Sequence, residues 1–224
     1  MVIKENDLKL SDFIKINSKK VAIFDIDDTL LKTSESLHEY IQDLFGIQMP
    51  ISSCWDYSDI IDYLKKSISV EDEMYKEIQR LGTDEWFTSF FYSEHGQNIP
   101  LESENIYRIL NYLKNNEYNI VFLTSRPMDK EIATLNNLAK HDLQDYSVIH
   151  WYGSKINFLD NNYEYVIFED APHHIKDYLT NDKVKKIFYI PKSFNLELRD
   201  LKDDKLIENI NYENIIDYLE NIDI

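Results

Sequence analysis

Cysteine is nearly absent. Cys54 is the only one in 224 residues, so no disulfide can close within the chain, and a reducing compartment suits it. Long apolar runs are missing too. No stretch approaches the ~18 to 20 apolar residues of a membrane span, and the first twenty residues mix Lys, Glu and Asp with apolar positions, leaving no uninterrupted signal-peptide core. The expectation is a cytoplasmic protein without a membrane partner. Positive charge is scarce: 24 Lys and Arg stand against 41 Asp and Glu, a formal net charge of -17, and no long basic block occurs. Such a surface repels polyphosphate backbones, so no stable nucleic-acid complex is expected. A small anion could still bind where a metal ion and a few basic side chains reverse the field locally. Internal repeats are absent as well.

Hydrophobic residues make up 43% of the chain and charged ones 29%, the composition of a globular fold rather than a disordered chain. The length of 224 residues allows one large domain, or a medium domain carrying an insertion.

Four apolar, β-branched or aromatic runs read as buried strands: Val21 to Ile26, Ile120 to Leu123, Val166 to Phe168 and Ile187 to Ile190, with Ser147 to Trp151 a weaker fifth. Between them, apolar residues recur at helical spacing, as in Leu37, Tyr40, Ile41, Leu44 and Phe45, or Ile106, Ile109, Leu110 and Leu113. Alternation of strand and helix predicts an α/β fold, a Rossmann-like parallel sheet flanked by helices. Roughly ninety residues separate the first two strands, far beyond a single crossover. A small helical cap is therefore expected as an insert over residues 33–99, with residues 1–32 and 100–224 forming the core. The insert holds a predicted helix over Val70 to Leu81 and an aromatic group including Trp55, Tyr57, Trp86, Phe87, Phe90, Phe91 and Tyr92. These rings either form the insert's own core or face a cleft and stack on a substrate; Trp55, Trp86 and Phe90 are the candidates for substrate binding.

The strongest chemical signal is Val21-Ala-Ile-Phe-Asp25-Ile-Asp27-Asp28-Thr29-Leu30, where an apolar strand delivers two carboxylates at its carboxyl end. That edge of an open α/β sheet is where ligands bind. Carboxylates so close repel one another, and a bound cation is the usual remedy. With 41 acidic residues some Asp pairs arise by chance; Asp203-Asp204, with no apolar strand before it, reads as a solvated loop.

Asp25-Ile-Asp27-Asp28-Thr29 resembles the first motif of the haloacid dehalogenase superfamily of phosphohydrolases. Three further strings match that superfamily in order: Thr124 at the end of Ile120-Val-Phe-Leu-Thr124-Ser125-Arg126-Pro127, Lys155 in Gly153-Ser154-Lys155, and Glu169-Asp170 after Tyr165-Val-Ile-Phe. Each alone is weak, and four in sequence are strong. Within the superfamily, Phe-Leu-Thr124-Ser125-Arg126-Pro127 and Phe-Glu169-Asp170-Ala-Pro172-His173-His174 look like the 5'(3')-deoxyribonucleotidase branch. Many relatives carry a further Asp where this chain has His174, and Glu169 is the residue that could supply the missing acidity.

The resemblance implies a Mg2+-dependent phosphatase with Asp25 as nucleophile and Asp27 as general acid and base. Asp25, Asp170 and the main-chain carbonyl of Asp27 would hold the metal, with Glu169 either beside them or as a further ligand. Thr124, Ser125 and Lys155 would bind phosphate. Arg126 could grip the substrate phosphate or pair with an acid. His173 and His174 either pack beside the site or, less in keeping with a hard cation, ligate it. The expected substrate is a small phosphate ester, foremost a nucleoside monophosphate. Sugar phosphates, a 3'-phosphorylated polynucleotide end and a non-catalytic binding protein are the alternatives, and a homo-oligomer remains open.

Overall fold

Six short segments rich in Val, Ile, Phe and Tyr pair side by side, all parallel. In the computed structural model, which describes residues 8–13, 15, 17–50, 57–69, 73, 75, 89–151, 153–207 and 211–221, they are β1 (Lys20–Phe24), β2 (Asn119–Thr124), β3 (Ser147–His150), β4 (Glu164–Glu169), β5 (Val184–Tyr189) and β6 (Leu206–Ile207). Their order is β3-β2-β1-β4-β5-β6. The chain builds outward from β1 to β2 and β3, then returns to lay β4 against the other side of β1. That reversal creates a switch point between β1 and β4, beyond whose carboxyl ends a crevice is expected. The near-continuous apolar runs suit strands covered on both faces. β6 is new relative to the sequence reading, because two residues are too few to carry a period.

Residues two apart fall on one face. Val21, Ile23, Val121, Leu123, Tyr165, Ile167 and Ile187 share a buried cluster with Ile175, Tyr178 and Phe158. On the other face the register sets Phe24 opposite both Phe122 and Phe168, and Phe168 opposite Phe188. Phe24 and Phe168 stack at 4.0 Å with planes 3° apart, and Phe168 and Phe188 at 4.8 Å and 10°. This row of rings crosses the sheet next to its carboxyl edge and stiffens the strand ends that carry the acids.

The helices, among the described residues, are α1 (Leu10–Phe13), α2 (Thr33–Phe45), α3 (Tyr57–Ser67), α4 (Glu94–Gln97), α5 (Asn105–Asn115), α6 (Glu131–Ala139), α7 (Pro172–Leu179) and α8 (Ile215–Leu219). α5 buries Ile106, Ile109, Leu110 and Leu113, the stripe its spacing predicts. α2 buries Leu37, Ile41 and Phe45 while Leu44 stays exposed, and it ends at Gly46, whose left-handed φ of 66° lets its N–H cap Gln42. Pro172 opens α7, where no N–H is needed.

The chain divides into two compact units. One contains residues 1–30, 101–128 and 145–224, and therefore the whole sheet; the other contains residues 31–100 and 129–144. The second unit is helical among its described residues. Side chains on or just after α6 bind it to the segment around α4: Asn137 donates to the Gly96 carbonyl, Lys140 Nζ to Asn98 Oδ1 (2.5 Å), and His141 Nε2 lies 2.8 Å from the Ile99 carbonyl. Gly96 is obligatory, since a Cβ there would sit 2.0 Å from the Phe90 carbonyl oxygen. Phe90 is buried in this unit against Tyr40 and Phe91. Trp55, Trp86 and Phe87 lie outside the described residues, as does nearly all of the helix expected over Val70 to Leu81.

Candidate active site

β1 stops at Phe24, and Asp25 is the first residue beyond it, still tied to the sheet by its N–H to the Phe168 carbonyl (2.9 Å). A tight turn follows, in which Asp28 takes φ 55° and the Leu30 N–H closes onto the Ile26 carbonyl (3.0 Å). Asp tolerates the left-handed region better than most residues. The turn sends the two acids to different partners. Asp25 is 7% exposed and pairs with Lys155; Asp27 pairs with Arg126.

β4 ends in Glu169, with Asp170 one residue on, beside the end of β1. Lys155, 1% exposed, opens a 3-10 turn after β3 and bridges Asp25 Oδ1 and Glu169 Oε2, the latter at 3.0 Å. The other oxygen of Glu169 accepts the N–H groups of Asp170 (3.3 Å) and Ala171 (3.2 Å), and the Thr29 hydroxyl donates to Asp170 Oδ1 (3.1 Å). The Lys155 turn is itself held: Ser154 Oγ donates to Asp177 Oδ2 on α7 (2.9 Å), and Trp151 Nε1 to the Ser154 carbonyl (3.3 Å).

One ammonium lies among three buried carboxyls and bonds two of them, and the electrostatics follow. Burial, reinforced by Glu169 and Asp27, outweighs the pull of Lys155 and pushes Asp25 up to about 8. Burial and the neighbouring Glu169, Asp25 and Asp28 carry Asp170 well above the usual carboxylate range. Burial disfavours the Lys155 ammonium, but Asp25 and Glu169 overcome that and raise it. With all four groups ionised, the cluster lacks two positive charges, the charge of one divalent cation. One oxygen each from Asp25, Glu169 and Asp170 can lie within 4.8 Å of one another. Three hard oxygen donors in a charge-deficient cluster fit a Mg2+-like ion. This grouping takes in Glu169, one of whose two expected places was at the metal, with Asp25 and Asp170. Asp27, whose expected contribution is its main-chain carbonyl, has its carboxylate turned to Arg126.

β2 ends at Thr124, whose side chain is fully buried and accepts the Arg126 N–H at 3.0 Å. Arg126 forks onto Asp27: Nε lies 3.1 and 3.0 Å from the two carboxylate oxygens and Nη2 2.6 Å from Oδ1. Of the two roles open to it, pairing with an acid is the one this geometry displays. Ser125 Oγ is 3.4 Å from His174 Nε2. His174 is buried, and burial together with Lys155 and His173 pushes its imidazole down to about 2, so it is neutral. Neither His173 nor His174 joins the acid cluster among the described residues.

Sequence reasoning missed Asn195, which is 0% exposed and donates to the Asp170 carbonyl at 2.7 Å. A lone Asn in a loop carries no local signal.

No family model and no curated protein matches the sequence. Solved structures do resemble the fold. The "Putative Phosphatase from Clostridium difficile" is 18% identical, with 89% of this chain and 98% of that one covered and a TM-score of 0.61. The "predicted phosphoglycolate phosphatase" of Haemophilus somnus is 13% identical over 91% and 99%, TM-score 0.60. A HAD family hydrolase of Deinococcus radiodurans, with bound phosphate and sodium, is 10% identical over 90% and 95%, TM-score 0.59. At these identities the likeness is one of fold: this chain has the six-stranded, Rossmann-like α/β fold of haloacid dehalogenase-type hydrolases.

Proposed function

We propose that the chain is a metal-dependent phosphomonoester hydrolase with Asp25 as its nucleophile. The observation that carries the reading is the convergence of Asp25, Lys155, Glu169 and Asp170 at the sheet's carboxyl edge, two positive charges short of neutrality. A divalent cation held by Asp25, Glu169 and Asp170 would supply charge neutralisation to the transferring phosphoryl group.

Lys155 holds Asp25 in place and adds positive charge where the phosphoryl oxygens would sit. Asp25 forms a bond to phosphorus as the bond from phosphorus to the leaving oxygen breaks, and a proton from Asp27 goes to that oxygen. Water then attacks the aspartyl phosphate, its proton passes to Asp27, and Asp25 is regenerated with release of phosphate. Arg126 forks onto the ionised Asp27, the form that takes the proton from water in the second step. Thr124, by fixing the Arg126 N–H, shapes the loop that carries Ser125.

For the substrate we propose a nucleoside monophosphate. The support is the similarity of the strings around Thr124 and Asp170 to deoxyribonucleotidases. The test is phosphate release from nucleoside 5'- and 3'-monophosphates, sugar phosphates and a 3'-phosphorylated oligonucleotide, with and without Mg2+, and with Asp25→Asn as control. Mg2+-dependent release from nucleotides alone, lost in the variant, supports both levels. Release from sugar phosphates alone overturns the substrate and keeps the chemistry. Release that survives in Asp25→Asn overturns the mechanism.

A further inference from the structure

We infer that Asn195 is a positioning residue for the cation site, acting through the main chain of Asp170; this rests on the metal-site reading above. Asp170 is fixed on two sides by groups already described, Thr29 on its carboxylate and Glu169 on its N–H. Its carbonyl has a third restraint. Asn195, in the loop after β5, directs its Nδ2 to the Asp170 carbonyl at 2.7 Å and to the Ile190 carbonyl at 2.9 Å. Its Oδ1 accepts the Tyr189 hydroxyl at 2.6 Å and the Lys192 N–H at 2.6 Å, and the same hydroxyl lies 2.7 Å from the Asn195 main-chain oxygen.

The chemistry requires an amide. Two carbonyls need donors on one side and two donors need an acceptor on the other, and among uncharged side chains of this length only Asn offers both. Because Asn195 is 0% exposed, water cannot substitute for a missing partner without a cavity opening. The result is a bracket that runs from Tyr189 at the end of β5, through Asn195, to the peptide joining Asp170 and Ala171. The N–H on the far side of that peptide is held by Glu169 Oε1 (3.2 Å). The peptide plane is therefore pinned at both ends, and with it the direction in which the Asp170 carboxylate leaves the chain. Outer groups that orient metal ligands change metal affinity by about 10- to 100-fold.

The test is Mn2+ binding by electron paramagnetic resonance titration of the full chain, with thermal unfolding in EDTA measured alongside. Asn195→Leu and the milder Tyr189→Phe are compared with Ile187→Val, a core change in β5 that touches no polar group in the bracket. Expected is a Mn2+ dissociation constant at least ~10-fold weaker in Asn195→Leu and several-fold weaker in Tyr189→Phe, with Ile187→Val binding as the wild type does. Should Asn195→Leu fail to fold, Tyr189→Phe decides alone. Lowered unfolding temperatures with an unchanged Mn2+ constant would overturn the positioning role while leaving the metal site intact. Absence of Mn2+ binding by the wild type would overturn the metal site and this inference together.

Discussion

Asp25→Asn is expected to stabilise the metal-free protein at alkaline pH and to forfeit most of the stabilisation that Mg2+ gives. Asp25 titrates near 3.8 when unperturbed and is pushed up to about 8 in the fold, chiefly by burial. Between those values the folded protein holds a proton that the unfolded chain has released. The contribution is thus fully present below 3.8 and is lost as pH climbs through about 8. One proton is worth about 1.4 kcal/mol per pH unit, so the whole span sets a ceiling on the order of 6 kcal/mol, and the interval from pH 6 to 8 about 2 to 3 kcal/mol. For a chain of this size 1 kcal/mol moves Tm by about 2 to 4 °C. The wild type in EDTA should therefore lose on the order of 5 to 10 °C more than Asp25→Asn between pH 6 and 8. Circular dichroism melts across that range, with EDTA and then with excess Mg2+, provide the comparison. Mg2+ should flatten the wild-type curve, because the cation takes the place of the proton, and should shift the variant far less. Parallel curves for the two proteins in EDTA would refute the claim that Asp25 is held above its ordinary range.

Other consequences concern single residues. Lys155→Met leaves Asp25 and Glu169 buried without their cation, and urea unfolding in EDTA at pH 8 should show a loss of about 3 to 5 kcal/mol, while the proposed phosphatase activity, assayed with Mg2+, should be lost. Arg126→Lys keeps the charge but not the fork on Asp27; steady-state kinetics should show turnover down at least about 10-fold with KM little changed, and wild-type turnover would exclude a role for the fork. His174 is pushed down to about 2, so its contribution is present above its ordinary value of 6.5 and is lost as pH falls toward 2. Unfolding free energies from urea titrations at pH 7 and pH 5 should consequently differ more for the wild type than for His174→Asn, by about 1 to 2 kcal/mol.

The elements whose boundaries follow from neighbours in the chain were legible in the sequence. Val21 to Phe24, the stripe on α5 and Pro172 at the start of α7 each carry their own period or punctuation, which is local information. So was the list of chemical groups, because Asp25, Thr124, Lys155, Glu169 and Asp170 each stand at or soon after the end of an apolar run. Which of those groups pair directly with one another was not legible. Lys155 is 130 residues from Asp25, and Arg126 is 99 residues from Asp27. No periodicity specifies which ammonium meets which carboxylate. That choice was made by the strand order, which places β4 against β1 and so brings Glu169 and Asp170 beside Asp25. It was also made by the turn at Asp28, which separates two acids that a regular strand would have kept on one face. Likewise α6, the first α-helix after β2 in sequence, joins the second unit, where Asn137, Lys140 and His141 find backbone carbonyls or a side-chain amide near Gly96. Asn195 acquires meaning only when the loop after β5 lies over the end of β4. The sequence by itself determined the elements and which polar groups stand at the strand ends, since both depend on residues a few positions apart. Tertiary structure alone decided the charge pairing, because burial and proximity across a sheet depend on crossovers between residues far apart in the chain.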